Sequence, residues 1–297
     1  MADRLGFIGL GDMGKPMASC LAKAGMRPLL WARNPANAEA ILPLGANLAP
    51  DVAGVFADCS VVILMLAHGA AIDEVLGRGT RGFDDLVRDR TVVHMGTTPP
   101  AYSRGLGADI TDRGGRYIEM PVSGSSDPAA QGALVAMASG HPDHIDAVEP
   151  LVAPMVSAVI RCGEVPKATQ MKLAVNTYLG GLVLGLMESV NFARACALDL
   201  GTLRGVLEAG PMSNDLMRMK LPKLIDEDYA PQGSVRQGIN NMTMIADAGT
   251  DAGVTMPVSV LMRDLFTAAS EMGFHDEDMI AIAKVLATRG PVATSNF

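Results

Sequence analysis

The sequence predicts an α/β N-terminal half followed by an all-α C-terminal half. Between residues 5 and 161, short apolar runs alternate with helix-like segments, as in a doubly wound, mostly parallel sheet. One run, Ser60 to Leu66, is almost continuously apolar, as a parallel strand covered on both faces requires. Beyond Gly163 strand signals nearly vanish and helical patterns follow one another. We therefore predict two domains, residues 1–163 and residues 164–297.

The first predicted unit is strand, glycine turn, helix and strand. The apolar run Leu5 to Ile8 leads into Gly9-Leu10-Gly11-Asp12-Met13-Gly14, a helix-like segment continues to about Ala24, and a second apolar run spans Pro28 to Trp31. A glycine motif of this spacing, directly after a strand and directly before a helix, is typical of a dinucleotide site in a Rossmann domain. A purely structural glycine turn is the alternative.

Each glycine of the motif has a mechanical role in this interpretation. Gly9 permits the tight turn off the strand, Gly11 lets the backbone approach a pyrophosphate, and Gly14 lets the helix pack against the sheet. The helix N-terminus would offer free N–H groups and a positive dipole end to the phosphates. The motif therefore predicts a nicotinamide dinucleotide cofactor.

The end of the second strand indicates which dinucleotide is bound. An acidic residue there would bind the 2′-hydroxyl of NAD, whereas an Arg accommodates the 2′-phosphate of NADP. This chain has Ala32-Arg33-Asn34 and no acid. Arg33 can pair with the phosphate and Asn34 can donate to it, so we expect NADP rather than NAD. A solvated surface Arg33 is the alternative.

The remaining elements follow in order. We predict further strands at residues 46–48, 60–66, 91–94, 116–120, 132–139 and 157–161, and helices at residues 35–42, 51–58, 71–76, 102–113 and 142–155, with residues 121–126 as a loop. In the second half we predict helices at residues 166–197, 203–210, 219–226, 236–252, 258–272 and 276–287, the first being interrupted locally at Gly180-Gly181.

Composition narrows the classes of partner. Hydrophobic residues make up 49% of the 297 residues, and the net charge of −8 argues against nucleic acid or an anionic membrane. The cysteines Cys20, Cys59, Cys162 and Cys196 show no metal-ligand or disulfide spacing, which predicts reduced thiols, no metal site and a reducing compartment. No signal peptide is recognised, and Leu179 to Met187 is too short an apolar stretch to span a bilayer. We expect a cytoplasmic protein.

The first helix of the second half is apolar on most sides. A helix that is apolar all round must be buried all round, and in a domain of this size that favours packing against a second subunit. We therefore expect a homodimer or homotetramer. A helix wrapped by its own domain is the alternative.

A lysine near the start of that helix is the best candidate for chemistry. Lys172 and Asn176 are four residues apart and share one helical face, and the residues between them are apolar. Buried polar groups need partners, so this pair would serve a carbonyl substrate in the cleft beside the cofactor. A snorkelling surface lysine is the alternative for Lys172. Of the histidines only His68, which follows a strand at the cofactor edge, is kept as a weaker candidate.

Three motifs together resemble the β-hydroxyacid dehydrogenase family. They are Gly9-Leu10-Gly11-Asp12-Met13-Gly14, then Pro121-Val122-Ser123-Gly124, then Lys172 with Asn176, in the order and spacing of that family. The family includes 3-hydroxyisobutyrate dehydrogenase and the glyoxylate/succinic semialdehyde reductases, and the resemblance covers nearly the whole chain. It implies a Rossmann domain, a long connecting helix and a helical domain that dimerises.

The resemblance also implies residue roles. Lys172 corresponds to the family's catalytic lysine, Asn176 to the amide that orients substrate and lysine, and Ser123 and Gly124 to the loop that holds the substrate by hydrogen bonds. The implied activity is hydride transfer between NADP(H) and a small hydroxyacid or semialdehyde. The residues assigned to the cofactor are Gly9, Leu10, Gly11, Asp12, Met13, Gly14, Arg33, Asn34, Leu66, Thr97 and Asn240.

Several positions depart from the family pattern. Ser125 replaces a common glycine and Gly96 a common serine, while Pro166 and Ala168 replace glycines before the lysine. Ile239-Asn240-Asn241 replaces a family Lys-Asp pair at the last two positions, which removes a positive charge near cofactor and substrate. We therefore hypothesise a bulkier or less acidic substrate than those of the well-known subgroups.

Two further functions compete with this interpretation. An imine reductase has the same fold but typically lacks the catalytic lysine, so Lys172 argues against it while Asn240 leaves it open. A cofactor-binding oligomeric scaffold without catalysis would also be expected to lack Lys172.

Overall fold

The computed structural model describes residues 4–288. The chain divides into two compact units between Lys172 and Leu173. The first unit is a mostly parallel sheet with helices and the second is helical, which confirms the predicted fold class. The predicted boundary after residue 163 falls before the long helix, whereas the first turns of that helix belong to the first unit.

The first unit contains one sheet, which has nine strands within the described residues. Strand order is β3-β2-β1-β4-β5-β6-β8-β7, and β9 pairs with β8. Pairing is parallel from β3 through β6 and antiparallel from β6 to β8 and from β8 to β7. The strands are β1 (Leu5–Ile8), β2 (Leu29–Trp31), β3 (Asn47–Leu48), β4 (Val61–Leu64), β5 (Thr91–His94), β6 (Arg116–Glu119), β7 (Val122–Ser123), β8 (Leu134–Ser139) and β9 (Val156–Gly163).

The order of the strands reverses between β1 and β4. The chain winds outward from β1 to β3 and then returns to place β4 on the other side of β1. In open α/β sheets, ligands bind outside the carboxyl ends of the strands at such a switch point. The loop that follows β1, which is the glycine motif, therefore lies at the expected binding edge.

The helices of the first unit cover the sheet. They are α1 (Gly14–Lys23), α2 (Val52–Asp58), α3 (Gly69–Leu76), α4 (Arg81–Val87), α5 (Pro100–Asp112), α6 (Ser126–Ala130) and α7 (Pro142–Val152), with 3₁₀ turns at Pro35–Ala38, Leu42–Leu44 and Ala153–Met155. Two separate clusters of buried apolar residues pack in this unit, as a sheet with two covered faces requires.

Four local predictions for the first unit were wrong. Helix α4 was not predicted, although Phe83 and Val87, one turn apart, are both buried. The segment predicted as a helix at residues 35–42 instead forms two 3₁₀ turns, each with a proline in its first turn. The helix predicted to reach Met155 ends at Val152. The loop predicted at residues 121–126 contains β7 and the start of α6.

The second unit is built from helices around a single apolar core. Side chains from all its longer helices, including Met187, Leu221, Ile245 and Phe266, are buried there. Its helices are the remainder of α8 (Lys167–Ala195), then α9 (Leu200–Ala209), α10 (Asp215–Ile225), α11 (Val235–Asp251), α12 (Pro257–Glu271) and α13 (Ile282–Thr288), with a 3₁₀ turn at Met279–Ala281.

Helix α8 is continuous through Gly180-Gly181, so the predicted interruption was wrong. A Cβ at Gly180 would lie 3.2 Å from the Met242 side chain, so this glycine serves close packing between α8 and α11. The helix has 29 residues and a window of mean hydropathy 1.4, so by length and composition alone it could cross a membrane, contrary to the expectation from its central apolar stretch. Of that apolar window 39% is buried, and buried Val183 and Met187 belong to the apolar core of the helical unit.

Candidate active site

The glycine motif begins with a turn that only glycine fits well. Gly9 follows β1 and has φ +102°, in the left-handed region. Its N–H donates to the Trp31 carbonyl oxygen over 3.0 Å. A Cβ on Gly9 would lie 2.3 Å from the Met65 carbonyl oxygen. The tight turn predicted at Gly9 is present, and it packs directly between the ends of β2 and β4.

The third glycine of the motif is also required by the fold. A Cβ on Gly14 would lie only 1.9 Å from the Gly9 carbonyl oxygen, so the start of α1 and the turn are in close contact. This agrees with the predicted role of Gly14 in bringing the helix close to the sheet.

The middle glycine is different, because nothing in the chain requires it. Gly11 is exposed, and a Cβ built on it would meet no heavy atom within 4 Å. Packing within the chain therefore does not account for a glycine at this position. A dinucleotide accounts for it, because its pyrophosphate must approach the backbone of this loop closely. The residues present fit a dinucleotide cofactor on this observation.

The N-terminus of α1 presents the backbone groups that bind phosphate. Helix α1 begins at Gly14, and no side chain caps it. The Lys15 N–H already donates to the Gly11 carbonyl oxygen over 3.0 Å and Pro16 has no N–H. The Gly14 N–H and the positive end of the helix dipole are therefore what α1 offers to an anion. Leu10 is buried beneath the loop, whereas Asp12 is exposed and Met13 is half-buried. The six predicted motif residues thus form one turn at the switch point of the sheet.

Arg33 and Asn34 follow β2 on the surface of the first unit. The Arg33 Nη2 atom lies 2.9 Å from Oε2 of Glu74 on α3, and both side chains are about 70% exposed. The Asn34 Oδ1 atom accepts a hydrogen bond from the Ala36 N–H over 3.2 Å, so it caps the 3₁₀ turn at Pro35–Ala38. Only its amide NH₂ remains as a donor for a ligand. An acid therefore does lie at this site, supplied by α3 rather than by β2.

Leu66 and Thr97 lie on the loops that follow β4 and β5. The Leu66 side chain lies 2.9 Å from where a Cβ on Gly9 would be, and the Leu66 carbonyl oxygen lies 2.6 Å from where a Cβ on Gly96 would be. The loops carrying Gly9, Leu66 and Gly96 are therefore in contact, and Thr97, which is half-buried, follows directly. A side chain at position 96 would collide with the Leu66 carbonyl oxygen, so this loop conformation requires a glycine there.

The histidines near this edge have structural roles. His68 Nδ1 accepts from the Ala71 N–H over 3.1 Å and so caps α3. His94 is fully buried, and its Nδ1 lies 2.9 Å from the Tyr117 hydroxyl, which also bonds to Ser103. Burial lowers the pKa of His94 to about 4, so it is neutral at physiological pH. The hydrogen bonds of His68 and His94 thus stabilise the fold, and we assign neither residue a role in catalysis.

Ser123 and Gly124 form a second turn, at the end of β7. Ser123 is half-buried and pairs in antiparallel register with Val135 of β8. Gly124 has φ +130°, and a Cβ on it would lie 2.5 Å from the Leu134 side chain. Ser125 holds the position after the turn in an extended conformation, with φ −98°. The turn is therefore formed without the second glycine that is common in the family.

Lys172 and Asn176 occupy one face of α8 and are both buried, with exposures of 8% and 5%. Among residues 4–288 no hydrogen bond or ion pair satisfies the Lys172 amine, and burial lowers its pKa to about 8. The Asn176 amide likewise makes no side-chain hydrogen bond to the described residues. The sequence-based alternative of a snorkelling surface lysine is wrong for Lys172. Lys167, by contrast, is exposed.

The helical unit contributes a small cavity lined by Asn176. Its volume is about 30 Å³, and Gly180, Asn241, Met242 and Phe266 also line it. A cavity of this size holds about one water molecule or one methyl group. Asn240, the residue assigned to the cofactor in this unit, is exposed on α11 and does not line the cavity.

Two groups at the candidate site were not predicted from the sequence. Glu74 lies 41 residues from Arg33 along the chain, and Glu119 lies 50 residues from its hydrogen-bond partner Thr169. A carboxylate inside an apolar strand was the available signal for Glu119, which ends β6 between Ile118 and Met120. No group of three or more potential His, Cys, Asp or Glu ligands occurs in the described part of the chain.

Known proteins match both halves of the chain. Residues 4–163 match the family described as the NAD binding domain of 6-phosphogluconate dehydrogenase. Residues 167–286 match the family described as NAD-binding of NADP-dependent 3-hydroxyisobutyrate dehydrogenase. The first match alone covers more than half of the 297 residues.

Individual relatives cover almost the full length. Glyoxylate/succinic semialdehyde reductase 1 of Arabidopsis thaliana is 28% identical over 283 residues, which cover 95% of this chain and 98% of that protein. 2-(Hydroxymethyl)glutarate dehydrogenase of Eubacterium barkeri is 25% identical, with 95% and 94% covered. The crystal structure of a 3-hydroxyisobutyrate dehydrogenase from Salmonella typhimurium shares the fold with a TM-score of 0.85 at 23% identity, covering 95% of this chain and 99% of that one.

The two family matches agree with the geometry of the glycine loop and with the order of the three motifs. The resemblance predicted from those motifs is confirmed. The chain is an NAD(P)-dependent oxidoreductase that acts on CH–OH groups and belongs to the β-hydroxyacid dehydrogenase family.

Proposed function

We propose that this enzyme uses NADP(H) to interconvert a small hydroxyacid and its semialdehyde, with Lys172 as the general acid and base. One observation carries the proposal: a buried lysine and a buried amide share one face of α8 and have no side-chain partner among residues 4–288. Polar groups on a largely buried face that make no hydrogen bond within the described chain, yet are not fully enclosed, are open to a ligand that satisfies them. A carbonyl oxygen accepts from both.

The chain's own residues then have separate roles. The nicotinamide supplies or receives the hydride when it is bound. In reduction the Lys172 ammonium donates its proton to the carbonyl oxygen, and in oxidation the neutral amine removes the proton from the hydroxyl. Asn176 donates to the same oxygen and orients it. Ser123 and the Gly124 backbone hold the carboxylate of the substrate.

This role predicts opposite pH dependences for the two directions. Burial lowers the Lys172 pKa to about 8, so the ammonium is present below that pH and is lost above it. We expect the kcat of reduction to fall as pH rises through about 8, and the kcat of oxidation to rise over the same range. Initial rates at saturating cofactor and substrate, from pH 6 to 10, check this. Parallel profiles in the two directions would contradict a proton transfer by Lys172.

The preference for NADP over NAD is also a proposal, and it rests on Arg33 and on the NADP-dependent family matched by residues 167–286. Arg33 pairs with Glu74 on the surface, so binding of the 2′-phosphate requires Arg33 either to contact both groups or to leave Glu74. We expect Arg33→Ala to weaken NADPH binding about tenfold to a hundredfold and to leave NADH unchanged, because a charged hydrogen bond contributes roughly 1.5–3 kcal/mol.

Glu74→Gln tests the same site from the other side. Because exposed ion pairs contribute at most about 1 kcal/mol, freeing Arg33 should tighten NADPH binding up to about fivefold. Asp85→Asn removes an exposed carboxylate of α4 and serves as the control. Titrations of cofactor fluorescence give the dissociation constants. Equal binding of NADPH and NADH by the unmodified protein would exclude the assigned role of Arg33.

The substrate is tested with a panel run with NADPH or NADP as each compound requires. Glyoxylate, succinic semialdehyde, several 3-hydroxy acids and cyclic imines separate the candidate activities. The exposed Asn240 in place of a family lysine supports a substrate bulkier or less acidic than glyoxylate. Turnover of imines alone would favour imine reduction, and binding of NADPH without turnover of any compound would favour a scaffold.

We further propose a cytoplasmic homodimer or homotetramer. The four cysteines are free thiols, which suits a reducing compartment. On α8, Tyr178 and Phe192 are 71% and 68% exposed, and large exposed apolar side chains on one helix favour contact with a second copy. Light scattering of the purified protein measures the mass, and a monomer would contradict this assembly.

A further inference from the structure

A buried carboxyl group lies where β6 ends and α8 begins. Glu119 is completely buried, and its Oε1 atom accepts a hydrogen bond from the Thr169 hydroxyl. Thr169 is also fully buried. The other oxygen, Oε2, has no hydrogen-bond partner within residues 4–288. Burying a carboxyl group with an oxygen left unsatisfied destabilises a fold, so stability alone does not account for Glu119.

A second hydrogen bond ties the neighbouring residue to the neighbouring strand. The Ala168 N–H donates to Ser139 Oγ over 2.8 Å, and both residues are fully buried. Ser139 ends β8 and is the register partner of Glu119 across the antiparallel pair. Ser139 thus satisfies one of the N–H groups that the first turn of any helix leaves free. Two adjacent strand ends therefore hold two consecutive residues of α8.

Lys172 lies one helical turn beyond these anchors. In an α-helix its backbone N–H bonds to the carbonyl of Ala168, four residues earlier, and Thr169, three residues earlier, shares its face. Within the described residues the Lys172 amine has no partner of its own. Its location is therefore set by the backbone of α8 and by what holds that backbone to the sheet.

We propose that Glu119, acting through the Thr169 hydroxyl, is a positioning residue that fixes the placement of the Lys172 amine. The proposal rests on the role of Lys172 given above. Glu119 does not touch the reacting atoms; it holds the first turn of α8 on β6. A displacement of about 1 Å at a catalytic group can lower a rate by up to about a hundredfold, so loss of this bond should appear in kcat.

Thr169→Val and Thr169→Ser form the matched pair that tests this. Valine keeps the shape of threonine and removes the hydroxyl, whereas serine keeps the hydroxyl. We expect Thr169→Val to lower the kcat of reduction about tenfold to a hundredfold, with KM and the dissociation constant of NADPH within about twofold. Thr169→Ser should recover most of the lost rate. Ser139→Ala, which removes the second anchor, should lower kcat in the same way.

The pH profile separates positioning from a general loss of structure. A loosened lysine is better solvated, so the descending limb of reduction near pH 8 should move to higher pH in Thr169→Val and stay in place in Thr169→Ser. Melting temperatures are measured for all variants, and rates are taken at least 10 °C below the lowest of them. An unchanged kcat and limb in Thr169→Val would overturn the proposal, as would equal losses in the two Thr169 variants with the limb in place.

Lys172→Met, assayed alongside, distinguishes the two ways of failing. If Lys172→Met retains full reductase activity, the proposed role of Lys172 as general acid is wrong, and the positioning role that rests on it fails with it. If Lys172→Met abolishes reduction while Thr169→Val and Ser139→Ala behave as the unmodified enzyme, only the positioning role of Glu119 is wrong.

Discussion

Lys172→Met is expected to lower the rate of carbonyl reduction by about 10²–10⁴-fold, the range typical of a positioned general acid. Methionine fills a similar buried volume on α8 and cannot donate a proton. Because the glycine loop and Arg33 are untouched, NADPH should bind with an unchanged dissociation constant. The measurement is kcat for the best substrate of the panel, together with a fluorescence titration of NADPH.

Lys167→Met provides the matched control for this prediction. Lys167 lies on the same helix five residues earlier and is exposed. Substitutions of exposed residues that have no buried partner usually have small effects, so Lys167→Met should leave kcat within about twofold. A Lys172→Met enzyme within about tenfold of the unmodified rate would show that Lys172 is not the general acid. Similar losses in both variants would point to a general effect of charge on α8.

Lys220→Met is expected to destabilise the helical unit strongly. The Lys220 Nζ atom of α10 lies 2.9 and 2.7 Å from the two Asp278 oxygens, and neither side chain is more than 4% exposed. Asp278 also accepts from the N–H groups of Gln232 and Ile280. Removing the lysine leaves a buried carboxylate without its cation, which costs about 3–5 kcal/mol of the free energy of unfolding.

Lys223→Met on the same helix is the control for stability. Lys223 pairs with Asp228 over 2.6 Å, but Asp228 is 51% exposed, so this loss should stay within about 1 kcal/mol. Urea denaturation followed by circular dichroism measures both variants. Equal shifts of the unfolding midpoint would mean that burial does not set the strength of the Lys220–Asp278 pair.

The architecture of the first unit could be predicted because its strands, turns and helices are formed by residues that are close together in the sequence. The turn after β1 was predicted with the role of each glycine because a strand, a glycine turn and a helix are adjacent in the chain. The prediction of an interruption at Gly180-Gly181 was wrong because the role of Gly180 depends on a contact with a residue far away in the sequence. In an isolated helix two glycines weaken the structure, whereas here Gly180 gives room to Met242, which is distant in the chain.

The candidate site was predictable only where its chemistry lies on one element. Lys172 and Asn176 were found because they are four residues apart on one helix. Glu74 and Glu119 were missed because each meets its partner across 41 and 50 residues respectively, and no periodic pattern reports such a pairing. No acidic residue follows β2 in the sequence, as stated above. The fold nevertheless brings an acid to this position, because Glu74 of α3 pairs with Arg33.

Two of the three glycines of the first loop are required for folding, whereas the middle one is required only for binding of the cofactor. Side chains at positions 9 and 14 would collide with backbone oxygens of the chain itself, whereas one at position 11 would meet nothing within 4 Å. Selection for a soluble, heat-stable protein would therefore remove variants at the first and last glycine and retain those at the middle one. A library of this enzyme screened by folding alone would accumulate intact proteins that no longer admit a dinucleotide, and only a screen for cofactor binding would expose them.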